Sequence, residues 1–140
     1  MTAFQKYFVE SITKRYAKFS GRARRSEYWY FLLFQISIVA ALIIPIIVIS
    51  NSNGIVSKGL FGTYVLFISL TLLPQTAVTV RRLHDSNKSG WLILLSFLPF
   101  GVIVLLILAL LDSDPNRNKY GPNPKAEEKA SIDDHLIQDR

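Results

Sequence analysis

The chain has 140 residues, half of them hydrophobic, no cysteine and a formal net charge of +6. That length suits one domain, and the missing cysteine excludes disulfides, thiolate nucleophiles and cysteine-bound metals. The basic residues flank long apolar runs, so the charge points to anionic lipid headgroups and not to nucleic acid.

Residues 1–27 carry seven basic side chains against Glu10 and Glu27. Phe4, Tyr7, Phe8, Ile12, Tyr16 and Phe19 recur at steps of three or four, with lysine and arginine between them. This pattern predicts an amphipathic helix over 1–19 lying at the membrane–water interface. A cleavable signal peptide does not fit, because the basic and apolar parts are too long and no small-x-small site follows. Ser20-Gly21 ends the helix, and Ser26 is placed to cap the next one. Tyr28, Trp29 and Tyr30 form an aromatic belt, while Arg22, Arg24 and Arg25 are expected among the headgroups, each contributing about 1 kcal/mol on an anionic surface.

Three stretches, Tyr28–Ser50, Gly59–Val80 and Trp91–Leu111, contain no Asp, Glu, Lys or Arg. As helices each would be roughly 30 Å long or more, the thickness of a bilayer core. Three such helices buried in a soluble fold would leave too little polar surface to cover them. The expected class is therefore an all-α integral membrane protein: interfacial helix, three transmembrane helices (spans about 28–50, 59–80 and 91–111) and a polar tail over 112–140, mobile beyond about 125. The first span contains Gln35 and Pro45, the second Pro74, and a turn-like loop from Asn51 to Lys58 joins them. Thr71, Gln75 and Thr79 stand at i, i+4 and i+8 and form a polar stripe. Its plain reading is helix packing, with Gln35 and Gln75 as near neighbours. A water-lined path is the other reading, but no intramembrane charge is there to run a relay.

Between spans two and three lies a polar island, Arg81 to Gly90, with Trp91 as a further interfacial aromatic. His84-Asp85 invites a catalytic or metal reading, yet one histidine and one aspartate are too few metal ligands, and neighbours in a loop seldom aim at one substrate. The simpler reading gives Arg81 and Arg82 a headgroup anchor, Asp85 a turn or arginine to bond, and Ser89-Gly90 the start of span three. That span crosses Pro99-Phe100-Gly101. Reversal there would make it a re-entrant hairpin with arms of roughly 12–15 Å, but re-entrant backbone needs cover from other segments, which favours three full spans. The amino-terminal segment and the Arg81–Gly90 loop hold ten lysines and arginines, against six in the first loop and tail, so both are expected on the cytoplasmic side.

Three blocks carry a family resemblance: Phe19-Ser20-Gly21-Arg22-Ala23-Arg24-Arg25-Ser26-Glu27-Tyr28-Trp29; Arg81-Arg82-Leu83-His84-Asp85 followed by Ser89-Gly90-Trp91; and Asn118-Lys119-Tyr120-Gly121-Pro122-Asn123-Pro124. In order and spacing the chain resembles the domain of unknown function 805 family, the YhaH-like small bacterial inner-membrane proteins, over about residues 15–124. Asn87 stands where that family often has glycine, and Asn123 where an aspartate is usual. The resemblance implies an inner-membrane location and a fold, and adds no reaction. It singles out His84, Asp85, Ser89, Gly90, Asn118, Tyr120, Gly121, Pro122 and Pro124 as a candidate motif.

Taken together, the residues favour a non-enzymatic multi-pass membrane protein that binds anionic lipid or partner proteins, as a homo-oligomer or with other membrane proteins. No cofactor or metal is implied. The alternative is an oligomeric transporter or channel using the Thr71/Gln75/Thr79 face. A third is an enzyme acting on lipid headgroups through His84 and Asp85. The Arg81–Trp91 loop is expected at the same membrane surface as Arg22, Arg24 and Arg25, close enough for Glu27 or Asp85 to pair with an arginine of the other block.

Overall fold

Two of the apolar runs become long helices, and the third does not. A computed structural model describes residues 8–49 and 54–126. Among these the helices are α1 (Glu10–Thr13), α2 (Arg25–Ile49), α3 (Gly54–Asp85) and α4 (Gly101–Leu110), with a 3₁₀ segment at Gly90–Phe97 between α3 and α4. The described residues contain no strand, only an isolated bridge between Asn118 and Gly121. Helices α2 and α3 are long and apolar enough to cross a membrane, and almost none of their apolar windows is buried. Leu33, Ile36, Ile44, Ile47 and Val48 on α2 all face outward. At about 25 cal/mol per Å², that much apolar surface is untenable in water and natural in lipid.

The chain divides into two compact units, one of Met1–Ala17 with Trp29–Gln75, the other of Lys18–Tyr28 with Thr76–Arg140. In the first unit, the predicted amphipathic helix is represented by the single turn α1, and Phe4 and Tyr7 lie outside the described residues. Phe8 is buried, with its ring 5.2 Å from that of Phe31 and 6.2 Å from that of Phe34. So this part of the expected apolar face meets α2. Pro74 has no N–H to donate to the carbonyl of Leu70. The Tyr16 hydroxyl donates to that freed carbonyl at 2.8 Å and ties the amino-terminal segment to α3.

Three elements differ from expectation, the first and third in the second unit and the second in the first unit. First, α3 does not stop at Val80. It continues through Arg81–Asp85, so half of the polar island is α-helix and the loop shrinks to Ser86–Ser89. Second, α3 begins at Gly54, so residues 54–58 are helical, while 51–53 of the expected loop lie outside the described residues. Third, the predicted full span over 91–111 is broken. The 3₁₀ segment ends at Phe97, Phe100 takes a left-handed conformation (φ 63°), and α4 starts at Gly101 and packs back on the first arm. The cause is local. Proline at 99 cannot continue the hydrogen-bonded ladder. Any Cβ on Gly101 would lie 1.7 Å from the carbonyl oxygen of Leu95, so the chain reverses where glycine alone allows the approach. The tail beyond 126, predicted to be mobile, lies outside the described residues.

Candidate functional site

The carboxyl end of a helix leaves its last carbonyls without intrahelical partners. At the end of α3 those carbonyls draw the three motif blocks together. Asn87 is left-handed (φ 57°); its N–H donates to the His84 carbonyl at 3.0 Å and the N–H of Lys88 to the Leu83 carbonyl at 2.9 Å. This is a Schellman cap, which needs a positive φ at that position, and asparagine is the best residue for it after glycine. Further donors come from outside the helix. The N–H of Ala23 bonds the Arg81 carbonyl at 3.0 Å, Asn118 Nδ2 the His84 carbonyl at 2.9 Å, and the N–H of Asp114 the Asp85 carbonyl at 2.9 Å.

Around this cap sits a buried ionic cluster. Arg22, Arg81, Arg82 and Asp85 are all buried, and Asp85 is fully enclosed. One Asp85 oxygen accepts from Arg22 Nε at 2.9 Å, and the other accepts from Arg82 and from the Ser113 hydroxyl. Arg22 also donates to the carbonyl of Asn116 at 2.8 Å and to those of Asp114, Gly121 and Asp85. Arg82 donates to Ala109 at 3.0 Å and to Leu111, which fixes the end of α4. Arg81 pairs with Glu27 at 2.6 Å, but its Nε and Nη2 are buried without a hydrogen-bond partner. The first two blocks, expected to pair through Glu27 or Asp85, pair through each of them, Arg22 with Asp85 and Arg81 with Glu27. Burying charges costs several kcal/mol per ion, which only well-placed partners offset. Arg22 and Arg82 have that full set.

Arg22, Arg81 and Arg82, expected at the headgroups, are buried: Arg22 and Arg82 among backbone carbonyls and the Asp85 carboxylate, Arg81 against Glu27. Arg24 is half-buried and donates to the Pro124 carbonyl. Arg25 donates to the carbonyls of Leu110 and Leu111 and pairs with Asp112 at 3.2 Å, with its side chain 39% exposed. Tyr28 is buried, Trp29 is half-buried and Trp91 is 78% exposed. Only Trp91 of the expected interface residues stands fully open.

His84 and Asp85 diverge because adjacent helical residues point about 100° apart. The His84 ring stacks on Tyr120 with centroids 3.7 Å apart and an interplanar angle of 6°. Its Nδ1 lies 3.2 Å from the Gly21 carbonyl, the arrangement of an N–H donor at that nitrogen. His84 lies past the apolar stretch that ends at Val80. Burial holds it below the 6.5 usual for histidine, the Gly21 hydrogen bond opposes that, and nearby Lys119 adds to it. With Phe19, Ser89, Gly90, Trp91 and Tyr120 it lines an open cleft of about 550 Å³. A Cβ on Gly90 would lie 2.8 Å from Val80 and 3.0 Å from His84 Nε2. Ser89 accepts from the N–H of Trp91, the start of the 3₁₀ segment. Gly121 is left-handed, Pro122 follows it in the returning loop, and Pro124 is helical. Asn123 donates to the carbonyls of Asp114 and Pro115 at 3.2 Å, which an aspartate could not do.

Of the predicted packing residues, Gln35 Nε2 lies 3.4 Å from the Thr71 hydroxyl, and Thr71 and Thr79 are buried. Ser113, Asp114 and Asn116 were not anticipated. Two of them act through backbone carbonyls, for which side-chain identity gives no signal. No group of three or more metal-ligating side chains occurs among the described residues.

The family model described as "Protein of unknown function (DUF805)" matches residues 16–122. The inner membrane protein YhaI of Escherichia coli (strain K12) is 42% identical over 118 residues, covering 82% of this chain and 92% of that protein. The inner membrane protein YhaH of the same strain is 36% identical over 119 residues, covering 83% and 94%. No solved structure matches the chain.

Proposed function

The chain belongs to the DUF805 family, and from that premise we propose that it is a non-enzymatic inner-membrane protein that binds anionic lipid through exposed surface, while its buried motif residues act as an internal clamp. The observation that carries this reading is Asp85: fully enclosed, with both carboxylate oxygens taken by Arg22, Arg82 and Ser113. General acid–base chemistry needs a group within reach of the proton it moves, and this carboxylate faces its own protein. His84 is likewise spent in part on Gly21 and Tyr120. The motif is explained by the fold that it closes.

Lipid contact then passes to the cations the clamp leaves outside. Lys18, Lys88, Arg117 and Lys119 are exposed in the same unit as Trp91. Each basic side chain near an anionic leaflet contributes about 1 kcal/mol, and an exposed tryptophan sets depth at the interface. Positive charge weighting puts this face in the cytoplasm. The test is native mass spectrometry from mild detergent, comparing the natural chain with a Lys18, Lys88, Arg117 and Lys119→Gln variant. Co-purified anionic lipid should fall several-fold. Unchanged lipid occupancy in a variant of unchanged melting temperature would refute it.

A further inference from the structure

We propose that Gly90–Leu110 is a re-entrant hairpin seated among the acyl chains of one leaflet only, so that the tail returns to the side of the membrane holding Arg22. Length is the first argument. The 3₁₀ arm has eight residues and α4 has ten, so each rises about 15–16 Å at 2.0 and 1.5 Å per residue. A hydrocarbon core is about 30 Å thick, so each arm reaches its middle and neither crosses it.

The ends of the hairpin supply the second argument. A Cβ on Gly90 would touch Val80 and His84 of α3, so the first arm starts beside the end of α3. The second arm finishes at the same place, because Arg82 donates to the carbonyls of Ala109 and Leu111. Three residues further on, the Asp114 carbonyl accepts from Arg22 and the Asp114 N–H bonds Asp85. A cluster with three arginines and two carboxylates stays out of hydrocarbon, so both ends of the hairpin lie at one surface.

The turn is the third. Phe97 is 84% exposed and Phe100 80%, with Leu98 beside them also exposed. No charged residue occurs from Trp91 to Leu111. Lipid-exposed backbone in a membrane must find its own hydrogen bonds, and this turn largely does. Leu98 N–H donates to Leu95, Gly101 N–H to Leu98, and Ile103 and Val104 N–H to Phe100; Pro99 has no N–H to satisfy. The apolar tip is therefore built for acyl chains, with the exposed indole of Trp91 at headgroup depth.

The natural chain has no cysteine, so single-cysteine labelling needs no background removed. Lys18→Cys, Lys58→Cys and Lys125→Cys, all at exposed positions, are treated with a membrane-impermeant maleimide in intact cells and in inverted vesicles. A nitroxide on Phe100→Cys in liposomes reports depth through its relative accessibility to oxygen and to a water-soluble nickel chelate. The expected result is Lys18 and Lys125 labelled from one side, Lys58 from the other, and the Phe100 probe at hydrocarbon depth. Lys125 labelled from the side of Lys58 would overturn the proposal in favour of a full third span. Lys125 on the side of Lys18 with an aqueous Phe100 probe would also overturn it, leaving a hairpin that never enters the leaflet.

Discussion

Two substitutions of identical chemistry, Arg22→Lys and Arg81→Lys, should differ sharply in cost. Arg22 uses its whole guanidinium: Nε on Asp85, and its two amino groups on the carbonyls of Asn116, Gly121, Asp114 and Asp85. A lysine ammonium is one point with three donors, so it can keep the carboxylate or the carbonyls of the returning loop, not both. Losing two or three buried bonds from a charged donor, at about 1.5 kcal/mol or more each, gives roughly 3–5 kcal/mol. Arg81 uses one amino group on Glu27 and leaves Nε and Nη2 buried without a hydrogen-bond partner. A lysine there keeps the ion pair and removes two orphan donors, so the change should lie within about 1 kcal/mol of neutral, in either direction. At about 2–4 °C per kcal/mol, thermal unfolding in mild detergent should put Arg22→Lys on the order of 10 °C below the natural chain and Arg81→Lys within a few degrees of it. Equal losses for the two variants, or an Arg22→Lys chain that melts with the natural one, would refute the assignment of Arg22 as the centre of the clamp.

The other expectations rest on single features. Asn87→Gly should leave stability unchanged or raise it by up to about 1 kcal/mol, because the cap needs a positive φ, whereas Asn87→Val should lower it by about 1–2 kcal/mol; denaturant midpoints would read both. Tyr16→Phe deletes the donor to the Leu70 carbonyl that Pro74 leaves free, and should cost about 1 kcal/mol and speed proteolysis of the amino-terminal segment. Since burial holds His84 below its ordinary value, the unfolded chain takes up its proton first as pH falls. The stability this neutral histidine contributes is present above about pH 6.5 and drains away below it. Melting points at pH 7.5 and 5.5 should show that slope, and His84→Gln should flatten it.

What was legible in the sequence follows from what each signal measures. Charge-free runs report preference for lipid, and two of them lie within the long helices α2 and α3, with α3 extending past its run at both ends. They do not report chain direction, so the reversal at Pro99-Phe100-Gly101 could be posed from sequence but not decided. The deciding fact is the approach of Gly101 to Leu95, a contact made by backbone. Counting arginines measures charge density and not neutralisation. Arg22, Arg81 and Arg82 read as lipid anchors because their partners are carbonyls or carboxylates, for Arg22 and Arg81 a carboxylate of another block, and a carbonyl has no letter in the sequence. The pairing of blocks was nonetheless within reach, because Glu27 and Asp85 are acidic residues set among arginines at one expected surface. His84 and Asp85 looked like a dyad only while Arg81–Asp85 was taken for a loop. Once those residues extend α3, helical geometry alone separates them: Asp85 turns into the cluster and His84 turns out toward Tyr120. The same extension explains why blocks one and three accompany the second, for they supply the hydrogen bonds that the open end of a long helix requires. A motif of this kind closes the end of α3, with Asp85 turned inward to the arginines and His84 turned to the open cleft that it lines with Tyr120 and Trp91.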